Sequence, residues 1–471
     1  MMLEICKSFQ EIELQFKDLK IRETEVWHVI RMHIYNAVIE ECENPGEAHP
    51  DEAIEMSKGT KLKSGIQFLG NALWHHPRCR LKKGKDWLIV CTPRKIAYKG
   101  TYIYPIIEPA LRILKGSLNY VERPNHFRHI KDEHTKCVAY SDGIELIRAV
   151  NQITGKFRMN EEEKKKINSI LDVVDTEFQI KLNRTKLNTR IQECMTGFFT
   201  YYKAYGKILD RIKPKYVMEV VHYENAELAL TKAAHERGIQ VVELQHGIMG
   251  PMHISYNLKY TDEYLPDKLI GFGDYWKDCT SYPGEMISVG YPYLEECVEQ
   301  LQRGEKRKNI LFISQGPIAK DLIKLALELE KYFTENQCDY QIIYKLHPNE
   351  YSTWKNLYPE LQKSGIQVID NNEKSLYEYF ADAFCQIGVF STALYEGVAF
   401  GLKTIIVKEF SYERVQDLID GNYAVLVEGV EETIAAIEDE NIGKYEVDSF
   451  WKKHAMENMR RVLTTQIVEE K

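Results

Sequence analysis

No run of uncharged apolar residues approaches the roughly 18 that a helix needs to cross a bilayer. The N-terminus carries charges where a signal peptide would hold an apolar core, so a cytoplasmic location is expected. The 10 cysteines lie singly from Cys6 to Cys385, without a CxxC pair or a Cys/His spacing that would build a zinc site. They read as reduced, mostly packed thiols. Low-complexity tracts and internal repeats are missing too, which removes disorder as the default for any long stretch. An excess of positive charge is also lacking: Lys+Arg 62 against Asp+Glu 70 leaves a net −8, which argues against a general nucleic-acid binder. Basic residues still cluster at Arg80, Lys82, Lys83 and Lys85, and at Arg303, Lys306, Arg307 and Lys308. A solvated charged surface accounts for both clusters, while peripheral contact with the anionic inner membrane stays open.

What is present is an ordinary globular composition, 44% hydrophobic and 28% charged, spread over 471 residues. That length exceeds one hydrophobic core and points to two large domains. Residues 1 to about 80 carry helical spacing, with Val26, Trp27, Ile30, Ile34 and Val38 recurring every three or four positions. Trp87 to Cys91 is a short apolar run of the kind buried in parallel sheets, and 118–121 is a second strand candidate. Residues 160–212 read as charged helix. Beyond Pro214 a strand over 216–221, a helix over 224–237 ended by Gly238, and a strand over 239–244 form one βαβ unit. Strand candidates at 310–313, 341–346, 367–369, 385–388 and 404–407 then alternate with helix candidates at 320–333, 354–363, 376–381 and 392–400. This alternation predicts a second parallel sheet covered on both faces. The expected division is an acceptor-side α/β domain over 1–283 with helical additions, a connection over 284–309, a nucleotide-binding α/β domain over 310–447, and a final helix over 448–471 that returns to the first domain.

Ligands of open parallel sheets bind beyond the carboxyl ends of the strands, so polar residues directly after strands carry the most information. Ser391 stands where an N-cap should be, ahead of a helix whose free N–H groups and dipole would suit a phosphate, with Thr392 beside it. Glu396 lies one turn deeper, where a carboxylate could accept from ribose hydroxyls. His347, held extended by Pro348, could donate to a donor phosphate, with Lys345 as a second cation. Gly316 closes the first turn of that domain and lets a phosphate approach the backbone. In the first half, His246 ends a strand and has Gly247 beside it, which makes it the candidate for acid–base work. His222, Glu224 and His253 are its alternates. Each has a plain structural reading as well: a capped helix with a surface glutamate, a histidine bonded to a loop carbonyl, or one that only shapes a cleft.

Leu244-Gln245-His246-Gly247, Val289-Gly290-Tyr291-Pro292, Lys345-Leu346-His347-Pro348 and Phe390-Ser391-Thr392-Ala393-Leu394-Tyr395-Glu396-Gly397 together resemble the GT-B glycosyltransferases of bacterial capsule and lipopolysaccharide synthesis. The resemblance spans roughly residues 215–410. It implies two Rossmann-like domains facing across a cleft, and a nucleotide-activated sugar as co-substrate with no other cofactor. A glycan or glycolipid acceptor is implied as partner. No acidic DxD-type motif is placed to hold a metal, so Ser391, His347 and Lys345 would stabilise the leaving phosphate. The acidic motif of sialyltransferases is replaced by Ser141-Asp142-Gly143. A nucleotide-sugar 2-epimerase, a CDP-glycerol-type glycerophosphotransferase and a non-catalytic binding protein on the same fold are the competing readings.

Overall fold

A strand covered on both faces is apolar along its whole length rather than alternating, and Trp87-Leu88-Ile89-Val90-Cys91 becomes such a strand, β1 (Trp87–Cys91), with every residue buried. The structure is a computed structural model that describes residues 2–43, 58–125, 127–301, 308–443 and 446–467. Arg303, Lys306 and Arg307 of the second basic cluster lie outside the described residues. The chain divides into two units: Met1–Gly271 with Lys277–Ser288 and Met459–Lys471, and Phe272–Trp276 with Val289–Asn458. Each holds a Rossmann-like parallel sheet with helices, and the first also carries the helical N-terminal segment.

In unit 1, β1 is joined by β2 (Leu118–Glu122), β3 (Ala139–Tyr140), β4 (Tyr216–Glu219), β5 (Gln240–Leu244), β6 (Lys268–Gly271) and β7 (Glu285–Ser288). Their order is β7-β6-β5-β4-β1-β2-β3, and all pairings are parallel. β4 ends before its expected limit because Val221 turns the chain at φ 67°. The stretch expected to be a connection over 284–309 instead supplies β7 and, in unit 2, a helix over Pro292–Leu301. Its strand was masked by polar ends: Glu285 pairs with Lys268 of β6 at 2.9 Å, so both strands read as charged rather than apolar.

The N-terminal helices α1 (Met2–Ile12), α2 (Trp27–Glu43) and α3 (Lys58–Trp74) precede the sheet. Trp27, Ile30, Ile34 and Val38 of α2 enter the unit 1 core. Arg31 and Glu13, both fully buried, form a two-pronged ion pair at 2.7 and 2.9 Å. Arg31 also reaches Ile254 O at 3.3 Å and Trp27 Nε1 donates to the same carboxylate at 3.1 Å, so neither charge is left unsatisfied. The long charged stretch after Asn160 splits into α5 (Glu161–Phe178) and α6 (Arg184–Ile212), preceded by α4 (Asp142–Thr154) and followed by α7 (Asn225–His235). The break falls at Gln179, which is left-handed at φ 54°.

Unit 2 is built on β8 (Asn309–Ile313), β9 (Gln341–Lys345), β10 (Gln367–Ile369), β11 (Ala383–Gly388), β12 (Lys403–Val407) and β13 (Val425–Val427), in the order β10-β9-β8-β11-β12-β13 and parallel throughout. The helix expected over 354–363 is broken into Trp354–Leu357 and Pro359–Lys363, because Pro359 has no N–H to continue the ladder. The last helix starts at Ala455 rather than at 448. Glu295 accepts from the backbone N–H groups of His454 and Ala455 at 2.6 and 2.8 Å and so fixes that start. Phe450 and Trp451 pack instead against Tyr275 and Trp276.

Gly290, part of the Val-Gly-Tyr-Pro motif, sits at φ 101°, and an added Cβ would lie 2.1 Å from Lys452 O and 2.5 Å from Ala455 Cβ. The motif's glycine thus serves close backbone packing within unit 2. Gly290→Ala is expected to destabilise the protein by about 1–3 kcal/mol or more through combined strain and overlap. A lowered urea midpoint would show it, and an unchanged midpoint would refute it.

Candidate functional site

In unit 2 the chain runs outward from β8 to β9 and β10, then returns to place β11 on the other side of β8. The direction of the chain reverses at the carboxyl ends of β8 and β11, the kind of switch point where ligands of open parallel sheets bind. Gly316 follows β8, and an added Cβ there would meet nothing within 4 Å. Ser391 and Thr392 follow β11. The two loops are tied together by Gln315, whose Oε1 accepts from the Phe390 N–H at 3.3 Å. Gly316, Ser391 and Thr392 are therefore brought to one switch point, and His347 and Lys345 end the neighbouring strand β9.

Details differ from expectation. The N-cap of α10 (Ala393–Ala399; α8 is Pro292–Leu301 and α9 is Ala319–Glu335) is Thr392, not Ser391. Ser391 Oγ still accepts from the Ala393 N–H at 3.3 Å, while the N–H groups of Leu394 and Tyr395 bond to Ser391 O and Thr392 O. Much of the expected free N–H array is thus consumed locally, which leaves anion contact to side chains. The Lys345 ammonium is also spent on its own loop: it donates to the Tyr351 hydroxyl, to Asn371 O at 3.2 Å and to Leu346 O at 3.4 Å. Burial, opposed weakly by Asp370, lowers its pKa to about 8. Glu396 is raised by burial to about 7, with Tyr377 donating to it.

His347 is exposed and caps the short turn Pro348–Glu350: its Nδ1 accepts from the Asn349 N–H at 3.3 Å, so Nε2 carries the proton and is the donor left for a ligand. Glu350, overlooked in the sequence, organises this turn. Its buried carboxylate accepts from the His347 N–H at 2.8 Å, from Ser314 Oγ at 3.2 Å and from the Tyr358 hydroxyl at 3.3 Å. The signal was there, since His-Pro-Asn-Glu has the three-residue spacing of a capping box.

Unit 1 has its own reversal between β1 and β4, and His246 ends the adjacent strand β5. The ring is half-buried. Its Nδ1 lies 3.4 Å from the Tyr256 hydroxyl and its Nε2 3.3 Å from the Tyr223 hydroxyl. Tyr256 donates to Glu243 Oε1 at 2.8 Å, so its oxygen is free to accept from His246 Nδ1–H. That assignment makes Nε2 the acceptor nitrogen, and the Tyr223 hydroxyl donates to it, a contact that an incoming hydroxyl would have to displace. Burial lowers the His246 pKa against the pull of Glu243, and Arg94 and His222 lower it further, so the ring is neutral near pH 7.

The alternates fare differently. His222 is fully buried, with its ring Nδ1 at 2.8 Å and its backbone N–H at 3.1 Å from the Glu243 carboxylate. Glu224 is paired with Arg123 at 3.1 Å. Burial pushes His253 down to about 3. The residue before His222, Val221, is β-branched yet left-handed, the kind of backbone outlier that concentrates at functional sites. Glu243, Tyr256 and Tyr223 escaped the sequence reading, although a carboxylate inside the apolar run Val241-Val242-Glu243-Leu244 is itself a sign of a buried partner.

No family model and no curated protein matches the chain. Among solved structures, it is similar to UDP-GlcNAc 2-epimerase from Neisseria meningitidis at 16% identity, covering 80% of this chain and 98% of that one, with a TM-score of 0.48. It is similar to MurG from Acinetobacter baumannii at 11%, covering 80% and 99%, with a TM-score of 0.42. The wall teichoic acid polymerase TagF matches at 10%, covering 88% and 99%, with a TM-score of 0.42. At these identities and scores, activity must be decided by the chain's own residues.

The raised Glu396 pKa has a consequence for stability. The folded state holds this proton up to about pH 7, whereas an unfolded glutamate releases it near 4.5. Its contribution is therefore fully present below pH 4.5 and lost as pH rises through 7. Glu396→Gln should flatten the pH dependence of the melting temperature over that window, and a constant offset between variant and parent would refute the assignment.

Proposed function

We propose that this protein transfers a sugar from a nucleotide-activated donor to a glycan or glycolipid acceptor of surface-polysaccharide synthesis, as a metal-independent transferase. The observation that carries this reading is the unit 2 switch point, where an unobstructed glycine turn and two hydroxyl side chains meet beside an outward histidine donor. Gly316 admits the phosphates to the backbone; Ser391, Thr392 and His347 Nε2 hydrogen-bond their oxygens as negative charge builds on the leaving group. Glu396 is assigned to the ribose hydroxyls. Lys345 acts indirectly, by fixing the loop that carries His347.

His246 is the proposed base. The acceptor oxygen attacks the anomeric carbon, the bond from that carbon to the donor phosphate breaks, the acceptor proton passes to Nε2, and the nucleotide departs with its phosphate. A neutral ring with Nδ1 protonated and Nε2 basic suits this step.

Donor class is read from thermal shifts with CMP-, CDP-, UDP-, GDP- and dTDP-linked compounds, since a ligand of the folded state alone raises the melting temperature. Ser391→Ala, Thr392→Ala and His347→Ala should each weaken nucleotide affinity by about tenfold, the loss of one charge-assisted hydrogen bond. Unchanged calorimetric affinity in folded variants would remove those residues from the site. His246→Ala should leave nucleotide binding and melting temperature nearly intact while turnover falls by about 10²-fold or more. Conversion of a nucleotide sugar without any acceptor would establish an epimerase instead, consumption of CDP-glycerol would establish glycerophosphate transfer, and binding without turnover of any donor would leave a binding protein.

A further inference from the structure

Unit 1 carries an apolar surface that the site does not use. On α4, Ile144 and Asn151 face inward, with Asn151 donating to Thr200 of α6 at 2.9 Å. At about 100° per residue, Leu146, Val150 and Ile153 fall roughly 120–180° away from Ile144 and Ile147 lies on the flank between, and all four are exposed, Ile153 by 86%. α3 packs beside the start of α4: Asn71 donates to Asp142 at 3.3 Å, and an added Cβ on Gly143 would lie 2.6 Å from the His76 ring and 3.3 Å from Ala72 O. The end of α3 adds Leu69, Leu73 and Trp74, the last two exposed by 72% and 76%. Phe127, its ring 5.7 Å from Phe68 of α3, is exposed beside them. Isolated exposed apolar residues need no explanation, but two adjoining helices presenting such a face do.

The charge around this face has one dominant sign. Arg80 donates to Trp74 O at 3.3 Å and to Lys136 O at 3.4 Å, and Arg211 donates to Pro77 O and Arg78 O at 2.7 and 2.6 Å. Arg78, Lys82, Lys83 and Lys136 are exposed along the same edge. A tryptophan at the border of an apolar face with a cationic collar is the composition of an interfacial membrane helix. Among the described residues no helix is long and apolar enough to cross a membrane, so contact of this kind would be peripheral.

We propose that the outer faces of α3 and α4, with the basic edge from Arg78 to Lys83, dock on an anionic bilayer. The apolar side chains enter the headgroup region while the cations meet lipid phosphates, each adding to affinity at low salt. This assignment is independent of the donor chemistry, because none of these residues belongs to the switch points.

The test is co-sedimentation of the full chain with vesicles of phosphatidylcholine alone and of phosphatidylcholine mixed with phosphatidylglycerol. Binding is expected to the mixed vesicles, reduced by salt and weaker on the neutral ones. A variant combining Leu73→Glu, Trp74→Glu and Ile153→Glu should lose binding by about tenfold or more. It should keep its melting temperature, because all three side chains are exposed. A second variant, Arg78→Glu with Lys82→Glu and Lys83→Glu, should lose the preference for anionic vesicles. The proposal is overturned if the parent chain stays in the supernatant with both vesicle types, or if the first variant binds as the parent does. It is equally overturned if the parent ignores vesicles but self-associates in equilibrium sedimentation and the first variant does not, which would make the face an interface between copies of the chain.

Discussion

A carboxylate placed inside a parallel sheet must be fully bonded or neutralised, and Glu243 meets that demand in a way that organises its surroundings. It is buried in β5 directly beside Glu219 of β4 in the register. Two adjacent buried carboxylates cannot both hold charge cheaply, and their environments divide them. Burial and its neighbour push Glu219 well above the ordinary range, so it stays protonated against Thr231. Glu243 is held below its ordinary value despite burial, by His222, His246 and the Tyr256 hydroxyl. Satisfying that single charge draws the ends of β4 and β5 and the loop at Tyr256 together. The left-handed Val221 is where the backbone accommodates the arrangement, bending so that both the ring and the N–H of His222 reach one carboxylate.

The helical N-terminal segment belongs to the same construction. Arg31 of α2 joins Glu13 to Ile254 O, and His28 of the same helix bonds Asp262 at 2.6 Å. Both contacts fall on the segment after His246 that carries His253 and Tyr256. A buried ion pair contributes little net stability compared with an apolar replacement, but it fixes one geometry, and here that geometry is the position of the Tyr256 hydroxyl. The first helices therefore serve the sheet edge as well as the core.

The parts of this architecture visible in the sequence are those whose signal is local. Trp87 to Cys91 and the unit 2 strands are apolar runs bounded by turns, and the βαβ unit after Pro214 shows its period directly. β6 and β7 were invisible because their ion pair puts Lys268 and Glu285 into otherwise apolar segments. β13 is only three residues long. Among the candidate residues, those directly after strands could be placed from sequence, since topology makes that position informative. Their partners could not. Glu243 meets Tyr256 through a tertiary contact, and the loss of Lys345's ammonium to Asn371 O depends on the loop after β10. Glu350 is the exception, a partner three residues from His347 that capping logic alone could have found.

The histidines of unit 1 show why the intervening tyrosine matters. His129 bonds two buried carboxylates directly, Glu122 and Asp142, each at 2.7 Å, and although burial opposes it the ring is held above its ordinary pKa. His134 is raised in the same way by Glu108. Such contacts favour the charged ring, in which neither nitrogen has a lone pair to offer. His246 lies close to an equally buried carboxylate, yet the Tyr256 hydroxyl stands between them, donating to Glu243 and accepting from Nδ1. Orientation passes through the hydroxyl while full charge stabilisation does not, so the tautomer is fixed and the pKa still falls. The Tyr256 hydroxyl thus orients the His246 ring without placing it directly on the carboxylate.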